Sequence, residues 1–436
     1  MEFRIERSAL AEAVAWAARV LPVRSPVPVL GGLLLEAEGG RLRVSGLDYE
    51  ASARIDVADA EILRPGKVLV MGRRLLDICK VLPEGAVECA VEGSRFTVSG
   101  DGARFGLSVL PLDDYPALPS LPRVRGAVEA AEFAAAVADV AVAAGRDDTL
   151  PALTGIRLGL DAVTGTMTLA ATDRYRFAVR TLPWKAAGAG ADTGAGEGAG
   201  VDAGAGEGAG VDAGAGSGAE AGSGSDAGAG SGARAGARAG DGAGAGAGVS
   251  ADVLVSARRL TEIARSLGRS GLVSVALDAG SAGFEHAGMR TTVRLLDGRL
   301  PRHDKLFAME DPAVAVVDRA RLVEAVKRVS VVADGDGPVQ LAFSAEDNSV
   351  HLRAGYEDDV ASQRLPATLE GARELTVAFN PGYLADALAS FDELSLRLLM
   401  MGAGQRAMIT GEGEPGRDVS PPRHRHLLMS VKPPLV

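Results

Sequence analysis

Residues capable of acid–base or nucleophilic chemistry are scattered through this chain rather than grouped in a catalytic pattern. Carboxylate pairs occur at Asp113–Asp114 and Asp147–Asp148, and their positions in loops favour turn and helix-cap roles. The segment Thr172–Arg176 has the residue types of a catalytic cluster, but it follows a strand and equally suits a turn or the wall of a binding pocket. Nothing assembles a nucleophile, a base and an oxyanion site, so the sequence predicts a protein that is not an enzyme and has no catalytic residue.

Phosphate and metal chemistry find little support in the spacing of the residues. Pro65–Val68 comes nearest to a phosphate-binding loop, but it lacks the upstream glycine and the hydroxyl residue after lysine. His424 and His426 would share one face of a strand, yet no further ligand is nearby, so we predict no metal site. Cys79 and Cys89 lack metal-binding spacing and are predicted to be buried free thiols. We accordingly predict that the protein needs no cofactor.

The elements that must position these residues recur three times along the chain. Each repeat opens with a short apolar strand and an alanine-rich amphipathic helix, near residues 1, 126 and 312. Midway through each repeat a second strand and helix follow, and VLVMGRRLLDICKVL in the first repeat aligns closely with VLVSARRLTEIARSL in the second. Strands of alternating polarity lie between them, as expected for sheets with one buried face. The period of about 124 residues is a common domain size. It predicts an α+β chain of three similar β-rich domains, at residues 1–122, 123–311 and 312–436.

A glycine–alanine tract at residues 186–249 interrupts the second repeat. Its apolar side-chain area is too small to offset the entropy of ordering, so we predict a disordered insertion. Long surface insertions cost little because closure entropy grows only logarithmically with loop length. A linker between two domains is the alternative, but a boundary there would split the second repeat in half.

The charge of the chain argues against a surface coated with nucleic acid, because the sequence has 46 basic and 57 acidic residues and a net charge of −11. Basic residues nevertheless recur on equivalent helices, with Arg73 and Lys80 in the first repeat and Arg258 and Arg265 in the second. If these helices face inward around an arc, they form a positive wall suited to phosphate contacts without sequence readout. The charged first strand does not fit a signal peptide, and no apolar run approaches the roughly 18 residues of a membrane span. We therefore expect a cytoplasmic protein with no membrane partner.

Several segments together resemble the bacterial DNA polymerase III β subunit, the replicative sliding clamp. These segments are Pro26–Leu35, Gly46–Glu50, Leu112–Pro116, Thr172–Arg176, Phe379–Tyr383 and His426–Met429. The resemblance covers essentially all of the chain outside the glycine–alanine tract. It implies the DNA clamp fold, in which head-to-tail homodimers form a ring with helices inside and sheets outside. Such a ring would encircle duplex DNA, tether the replicative DNA polymerase catalytic subunit and depend on a clamp loader, without making or breaking a bond.

The resemblance also assigns residues to three surfaces. A partner-peptide pocket between domains two and three would comprise Leu153, Thr172, Arg174, Tyr175, Arg176, Phe177, Pro301, Lys305, Leu306, Asn380, Tyr383, Arg406, Leu427, Leu428, Met429 and Ser430. The DNA-facing residues would include Arg24, Arg73, Lys80, Arg146, Arg258 and Arg265. The homodimer interface would pair the edge strand of Phe105 and Leu107 with the region near Val331 and Val332, which would remove an exposed sheet edge.

Three departures from the family's pattern lie near this pocket. Ser430 follows Met429 where proline is usual, Arg302–Lys305 replaces a more aromatic stretch, and Glu412–His426 is rich in proline and charge. Two alternatives to an ordinary clamp therefore stay open. One is a divergent second copy that gives self-resistance to a pocket-binding antibiotic, and the other is a clamp-derived scaffold that no longer encircles DNA.

Overall fold

The strand–helix halves predicted from the repeat are present in all three segments of the computed structural model. It describes residues 1–24, 26–187, 251–268, 270–301, 304–333, 337–356, 359–413 and 422–432. The glycine–alanine tract from residue 188 onward, residues 302 and 303, and residues 414–421 lie outside the described residues. Three of the predicted features, namely the disordered insertion and two of the departures near the pocket, therefore fall wholly or partly outside them.

The first segment opens with the predicted strand and helix. Its strands are β1 (Glu2–Glu6), β2 (Gly32–Glu38), β3 (Arg41–Leu47), β4 (Ala51–Val57), β5 (Glu61–Arg64), β6 (Gly66–Met71), β7 (Ala86–Glu92), β8 (Arg95–Gly100) and β9 (Ala103–Ser108). Its helices are α1 (Arg7–Ala17) and α2 (Gly72–Val81), which pack against each other.

The second segment repeats this order. Its strands are β10 (Val124–Glu129), β11 (Gly155–Asp161), β12 (Thr166–Thr172), β13 (Arg176–Pro183), β14 (Lys185–Ala186), β15 (Ala251–Ser256), β16 (Leu272–Leu277), β17 (Ser281–His286) and β18 (Met289–Arg294). Its paired helices are α3 (Ala130–Ala141) and α4 (Ala257–Ser266), and a single helical turn follows as α5 (Asp304–Phe307).

The third segment has the same plan. Its strands are β19 (Ala313–Asp318), β20 (Val339–Ser344), β21 (Ser349–Tyr356), β22 (Asp359–Glu370), β23 (Glu374–Phe379), β24 (Ser395–Met400), β25 (Arg406–Gly411) and β26 (His424–Met429). Its paired helices are α6 (Arg319–Val329) and α7 (Pro381–Ala389). Both begin at side-chain caps, because Asp318 Oδ1 accepts from the Arg321 amide at 2.8 Å and Asn380 Oδ1 accepts from the Tyr383 amide at 3.1 Å.

The strands form three antiparallel sheets, and two of the sheets pass from one segment into the next. The first has the order β5-β1-β7-β8-β9 and stays within the first segment. The second, β14-β10-β16-β17-β18-β4-β3-β2-β6, crosses between segments where β18 pairs with β4. The third, β15-β11-β12-β13-β26-β25-β24-β19-β22-β21-β20-β23, crosses where β13 pairs with β26. Backbone ladders therefore join all three segments.

The two joints between segments differ in the side chains that face the helices. In the β4–β18 joint Ala53 lies opposite Thr291, and the next pairs on the same face, Met289–Ile55 and Val293–Ala51, are apolar. In the β13–β26 joint Ala178 lies opposite His426, and Arg180 lies opposite His424. The second joint therefore buries imidazoles beside arginine, and it adjoins the candidate site described below.

The cores follow from the alternation of the strands and the apolar faces of the helices. One apolar core runs through the first two segments, and a second fills the third segment. Cys79 and Cys89 are buried free thiols in the first core, which confirms the prediction. Burial raises the pKa of Cys79 to about 11, so the reactive thiolate is disfavoured. None of the helices in the described parts of the chain is long and apolar enough to cross a membrane.

Candidate functional site

A cavity of about 610 Å³ lies where the β12–β13 turn, the loop after α3 and the first turn of α7 meet. Its size falls in the range of about 300–1,000 Å³ that is usual for ligand sites. Predicted pocket residues that line it are Leu153, Arg174, Tyr175, Arg176, Asn380 and Tyr383. The wall is completed by Ala144, Gly145, Arg146, Asp147, Leu150, Asp173, Gly382 and Asp386.

The β12–β13 turn is held by hydrogen bonds from its own side chains. Thr172 Oγ1 donates to the Arg176 carbonyl at 2.6 Å and accepts from the Arg174 amide at 3.2 Å. Asp173 Oδ1 accepts from the amides of Tyr175 and Arg176 at 3.0 and 3.1 Å. Arg174 has a φ of 83°, the left-handed region that non-glycine residues seldom adopt. Of the readings that the sequence left open, the turn and the pocket wall both apply to this segment.

Arg176 is the central charged group of the cavity, and only 5% of its surface is exposed. Its Nε donates to Asp173 Oδ2 at 2.9 Å, and its Nη1 donates to Asp386 Oδ2 at 2.7 Å. The guanidinium carbon also lies 4.4 Å from the centre of the Tyr383 ring, a cation–π distance. Two carboxylates and an aromatic face thus compensate the buried charge, which would otherwise be strongly unfavourable.

Aromatic rings form the mouth of the cavity. Tyr175 is 58% exposed, and its ring stacks on Tyr383 with the centroids 6.2 Å apart. Tyr383 lies in the first turn of α7, where Asn380 caps the helix. A partly exposed aromatic pair beside a buried arginine can bind an apolar side chain while fixing its orientation.

The apolar half of the predicted pocket is a packed cluster behind this cavity. Phe177 and Leu427 are buried there, with Leu306 at the edge of the cluster. Phe307 of α5 meets Phe177 edge to face, with centroids 5.7 Å apart. Arg406 holds this region in place, because its Nη1 donates to the Leu306 carbonyl at 3.0 Å. The chain's own Phe307 therefore occupies part of the apolar cluster.

The C-terminal residues of the predicted pocket, Leu427–Ser430, make contacts with the backbone and do not line the cavity wall. The Met429 amide donates to the Tyr175 carbonyl at 2.9 Å, continuing the contact between the segments beyond the ladder. Ser430 is buried, and its Oγ donates to the Gln405 carbonyl at 2.7 Å and accepts from the Gln405 amide at 2.9 Å. The serine that departs from the family's pattern thus ties down a loop. The remaining predicted residues also lie away from the cavity wall: Pro301, Lys305 and Leu428.

A second cavity, of about 600 Å³, gathers three predicted DNA-facing residues. Arg24, Arg73 and Arg258 all line it, although they belong to three separate elements. Arg73 Nη2 donates to the Pro22 carbonyl at 3.4 Å, and Arg258 makes an exposed ion pair with Glu262 at 3.2 Å. Such exposed pairs contribute little. These cations therefore stay available to phosphate groups.

The other three predicted DNA-facing residues lie elsewhere. Lys80 is exposed at the end of α2 and pairs with Asp77 at 3.1 Å. Arg265 is exposed on α4. Arg146 is exposed but lines the first cavity, beside Arg176 and Tyr383. The structure thus brings Arg146 to the predicted peptide site rather than to the cavity of Arg24.

The four predicted interface residues lie on two separate surfaces of the chain. Phe105 and Leu107 are half-buried on β9, which ends the five-stranded sheet. Val331 and Val332 belong to a 3₁₀ turn at Ser330–Val332, where Val331 is 82% exposed. This turn packs against β21 and β22.

Sequence reasoning did not find Asp386 or Phe307. Asp386 meets Arg176 across 210 positions of the chain, and no local pattern links the two. Phe307 lies in a single helical turn with no periodic signal. Asp139 was also missed, although its Oδ2 lies 3.6 Å from Arg180 Nε in the joint behind the cavity.

The β13–β26 joint holds buried groups whose ionisation is shifted in opposite senses. Burial, with a contribution from Arg180, lowers the pKa of His424 to about 3. Burial, with contributions from His424 and Arg176, holds the pKa of the fully buried His426 well below its usual value. Burial raises the pKa of Asp139 to about 7, assisted by Asp392 and Glu393 and opposed by Arg180. At neutral pH both imidazoles are therefore neutral. Each also contacts Ser390 Oγ, at 2.9 Å from His424 Nε2 and 3.5 Å from His426 Nδ1.

Acid is expected to destabilise this joint. The folded pKa of His424 and His426 lies below the unfolded value of about 6.5, so the unfolded chain takes up protons first. Their contribution to stability is full above about pH 6.5 and is lost as the pH falls below it, toward about 3 in the case of His424. Asp139 acts oppositely, because its stabilisation grows as the pH falls from about 7. Between pH 7 and pH 5 the histidines therefore lower the melting temperature as the pH falls, and Asp139 raises it. Compared with the wild type, His424→Gln should lose less melting temperature on acidification, and Asp139→Asn should lose more. Equal slopes in thermal melts of all three proteins would contradict this account.

Comparison with known proteins identifies a family along most of the chain. The descriptions that match are "DNA polymerase III beta subunit, N-terminal domain" at residues 1–119, the central domain at 127–192 and the C-terminal domain at 304–417.

Individual relatives agree with this match. The beta sliding clamp of Streptomyces coelicolor is 40% identical over 439 aligned residues, which cover 99% of each chain. The beta sliding clamp homolog GriR of Streptomyces muensis is 38% identical, again over 99% of each chain. A crystal structure of the Pseudomonas aeruginosa DnaN sliding clamp bound to griselimycin superposes with a TM-score of 0.78 at 21% identity, covering 99% of this chain and 100% of that one.

Proposed function

This chain belongs to the DNA polymerase III beta subunit family, and from this we propose that it is a DNA sliding clamp. Two protomers close head to tail into a ring around duplex DNA in the cytoplasm. The ring is loaded by a clamp loader and tethers the replicative polymerase catalytic subunit. It acts as a processivity factor without catalysing a reaction. The observation that carries this proposal is a pair of complementary open sheet edges, on β9 and β22.

Both edges are open along a useful length. β9 pairs with β8 on one side only. β22 pairs with β21 along Asp359–Pro366, whereas β19 joins its other edge only from Ala367 onward. No other strand in the described ranges covers either edge. Open edges of this kind favour pairing with another chain.

The internal repeat supports one particular pairing of these two edges. In the two joints within the chain, β4 pairs with β18 and β13 pairs with β26. β22 occupies in the third segment the place that β4 and β13 hold in the first and second. β9 likewise occupies the place of β18 and β26. A third joint of the same kind therefore needs β22 of one protomer and β9 of another. Two such joints close a symmetric head-to-tail dimer.

The repeat also predicts the register of this joint. Ala361 corresponds to Ala53 and Ala178, because each faces the equivalent residue of the preceding strand. Phe105 corresponds to Thr291 and His426, which face those two alanines in the joints within the chain. We therefore expect Ala361 of one protomer opposite Phe105 of the partner subunit, with the exposed Val331 turn beside it. We therefore expect β22 to be the strand that pairs with β9 of the partner subunit, whereas the turn of Val331 and Val332 packs against β22.

Contacts with DNA fit the same arrangement. Arg24, Arg73 and Arg258 line one cavity and present cations without a sequence-reading element. Because a closed ring is held on DNA topologically, these phosphate contacts can remain weak and allow sliding.

The tethering site would be the cavity around Arg176 and Tyr383. An apolar anchor of a partner peptide would pack on the Tyr175–Tyr383 pair. Arg146 and Arg174 at the rim would bind its backbone carbonyls or carboxylates. The packed cluster with Phe307 would form the floor.

Retention on circular DNA tests the proposal directly. The protein is loaded on a nicked plasmid with a clamp loader, freed of unbound protein, and split into two samples, one of which is linearised. We expect retention for minutes on the circle and rapid loss from the linear form. Loss at the same rate from both forms would refute encirclement and support the scaffold alternative, as would a monomer by light scattering.

Self-resistance remains an alternative role for the same fold. The relative GriR is nearly as similar to this chain as the clamp of Streptomyces coelicolor, so sequence identity does not distinguish the clamp role from the resistance role. Griselimycin binds the clamp of Pseudomonas aeruginosa. Its binding to this protein can therefore distinguish the two roles. Griselimycin binding to this protein as tight as to an ordinary clamp would exclude the resistance role.

A further inference from the structure

The cavity of Arg24, Arg73 and Arg258 also presents an exposed aromatic ring. Tyr49 lies in the connection between β3 and β4, lines this cavity and is 66% exposed. Val23 on the loop after α1 lines the same cavity and is 77% exposed. A phosphate-binding surface for duplex DNA needs neither residue, because duplex contacts of this kind go to the sugar–phosphate backbone.

Tyr49 is held in its exposed position by an ion pair that bridges two segments. The Tyr49 amide donates to Asp48 Oδ1, and the Asp48 amide donates to the Ala51 carbonyl, both at 2.7 Å. The other carboxylate oxygen of Asp48 accepts from Arg259 Nη2 of α4 at 2.8 Å, and both of these side chains are largely buried. The backbone that carries the ring is thereby anchored, so little conformational freedom remains to be lost when a ligand binds.

The charge around the ring favours an anion. Arg259 is balanced by Asp48, Glu50 and Glu262. In the part of the chain that is described, neither Arg24 nor Arg73 has a carboxylate within 4.0 Å, so both cations face the cavity uncompensated.

We propose that this cavity binds unpaired nucleotides of single-stranded DNA, with a base stacked on Tyr49. Arg24 and Arg73 hold the phosphates, and Val23 covers the apolar edge of the base. A positive groove with an exposed aromatic ring is the usual arrangement for single strands. In a duplex the faces of the bases are stacked on one another and cannot reach Tyr49. The inference rests on the proposed function, which brings DNA to this surface. It adds that the clamp distinguishes a primer–template junction from continuous duplex.

Paired binding measurements test this inference. Fluorescence anisotropy of the full-length protein is recorded with labelled oligothymidylate and with a labelled blunt duplex at one fixed salt concentration. Tyr49→Ala should weaken oligothymidylate binding roughly 5- to 100-fold, the range for loss of one stacked base, and change duplex binding less than about 2-fold. Tyr49→Phe keeps the ring and should bind as the wild type does. Arg24→Ala should weaken both ligands, because it removes a phosphate contact.

Two results would overturn the inference. One is unchanged oligothymidylate binding by Tyr49→Ala, and the other is equal weakening of both ligands. Retention on circular DNA separates this inference from the proposed function. If wild-type protein stays on circles and Tyr49→Ala still binds oligothymidylate normally, only the inference fails. If wild-type protein is not retained on circles, the proposed function fails whatever Tyr49 does.

Discussion

Phe105→Asp is expected to convert the dimer into monomers. Phe105 is half-buried on the core side of β9, and a charge there would be enclosed between β9 and β22 without a partner. An uncompensated buried charge costs about 3 kcal/mol or more. The proposed ring would contain this joint twice, so the penalty counts twice and the dimer dissociation constant should rise by roughly 10⁴-fold. Light scattering across a concentration series measures the shift.

Ser108→Asp is the matched control for this experiment. Ser108 lies on the same strand but is exposed on the opposite face, so the same charge should leave the dimer intact. Circular dichroism should show native strand content for both variants, since the five-stranded sheet is complete within one chain. A Phe105→Asp protein that remains dimeric at micromolar concentration would mean that the ring closes through a different surface. A monomeric Phe105→Asp protein should also fail to stay on circular DNA.

Arg176→Leu should disable the partner-peptide cavity. The change strands the carboxylates of Asp173 and Asp386 and removes the cation from the Tyr383 ring. Removing one member of a buried ion pair costs about 3–5 kcal/mol. We expect about 3 kcal/mol, because the Asp386 carboxylate is partly exposed and can be hydrated. Chemical denaturation measures this loss. Affinity for the clamp-binding peptide of the organism's own replicative polymerase should fall at least about 10-fold.

Two further variants separate loss of the ion pair from general damage. Arg174→Gln changes an exposed neighbour in the same turn, and its effect on stability should stay within about 0.5 kcal/mol. Adding Asp386→Leu to Arg176→Leu removes one stranded carboxylate and should recover part of the lost stability. If the double variant is no more stable than Arg176→Leu, the ion pair is not the origin of the effect. If peptide affinity is unchanged in Arg176→Leu, the peptide binds elsewhere.

Local periodicity was sufficient to predict the strand–helix halves of this fold. The third repeat was expected to open near residue 312 with a strand followed by a helix, and these elements occur at Ala313–Asp318 and Arg319–Val329. This agreement has a physical cause, since a helix start or an alternating strand depends on residues only a few positions apart. The domain boundaries at residues 122 and 311 remain predictions.

The sequence also located part of the candidate site, but only where one short segment carries it. Thr172–Arg176 closes on itself through hydrogen bonds between near neighbours, and such a turn can be read from its residues. Arg146 was assigned to the DNA-facing group and lies instead on the cavity wall. Its position depends on how the loop after α3 returns over the sheet, which no local pattern encodes.

By itself, therefore, the sequence determined the threefold repeat and the two strand–helix halves of each repeat. The tertiary structure alone decided which distant groups meet. It pairs Arg176 with Asp386, opposes Arg180 and His424 across a sheet joint, and leaves one edge of β9 and part of one edge of β22 open among the described strands. The reason is that the register of strand pairs between segments, and the choice of ion-pair partners there, depend on how whole sheets are buried and paired. Each of these groups meets a group from a different segment, so neither partner's local sequence contains the contact.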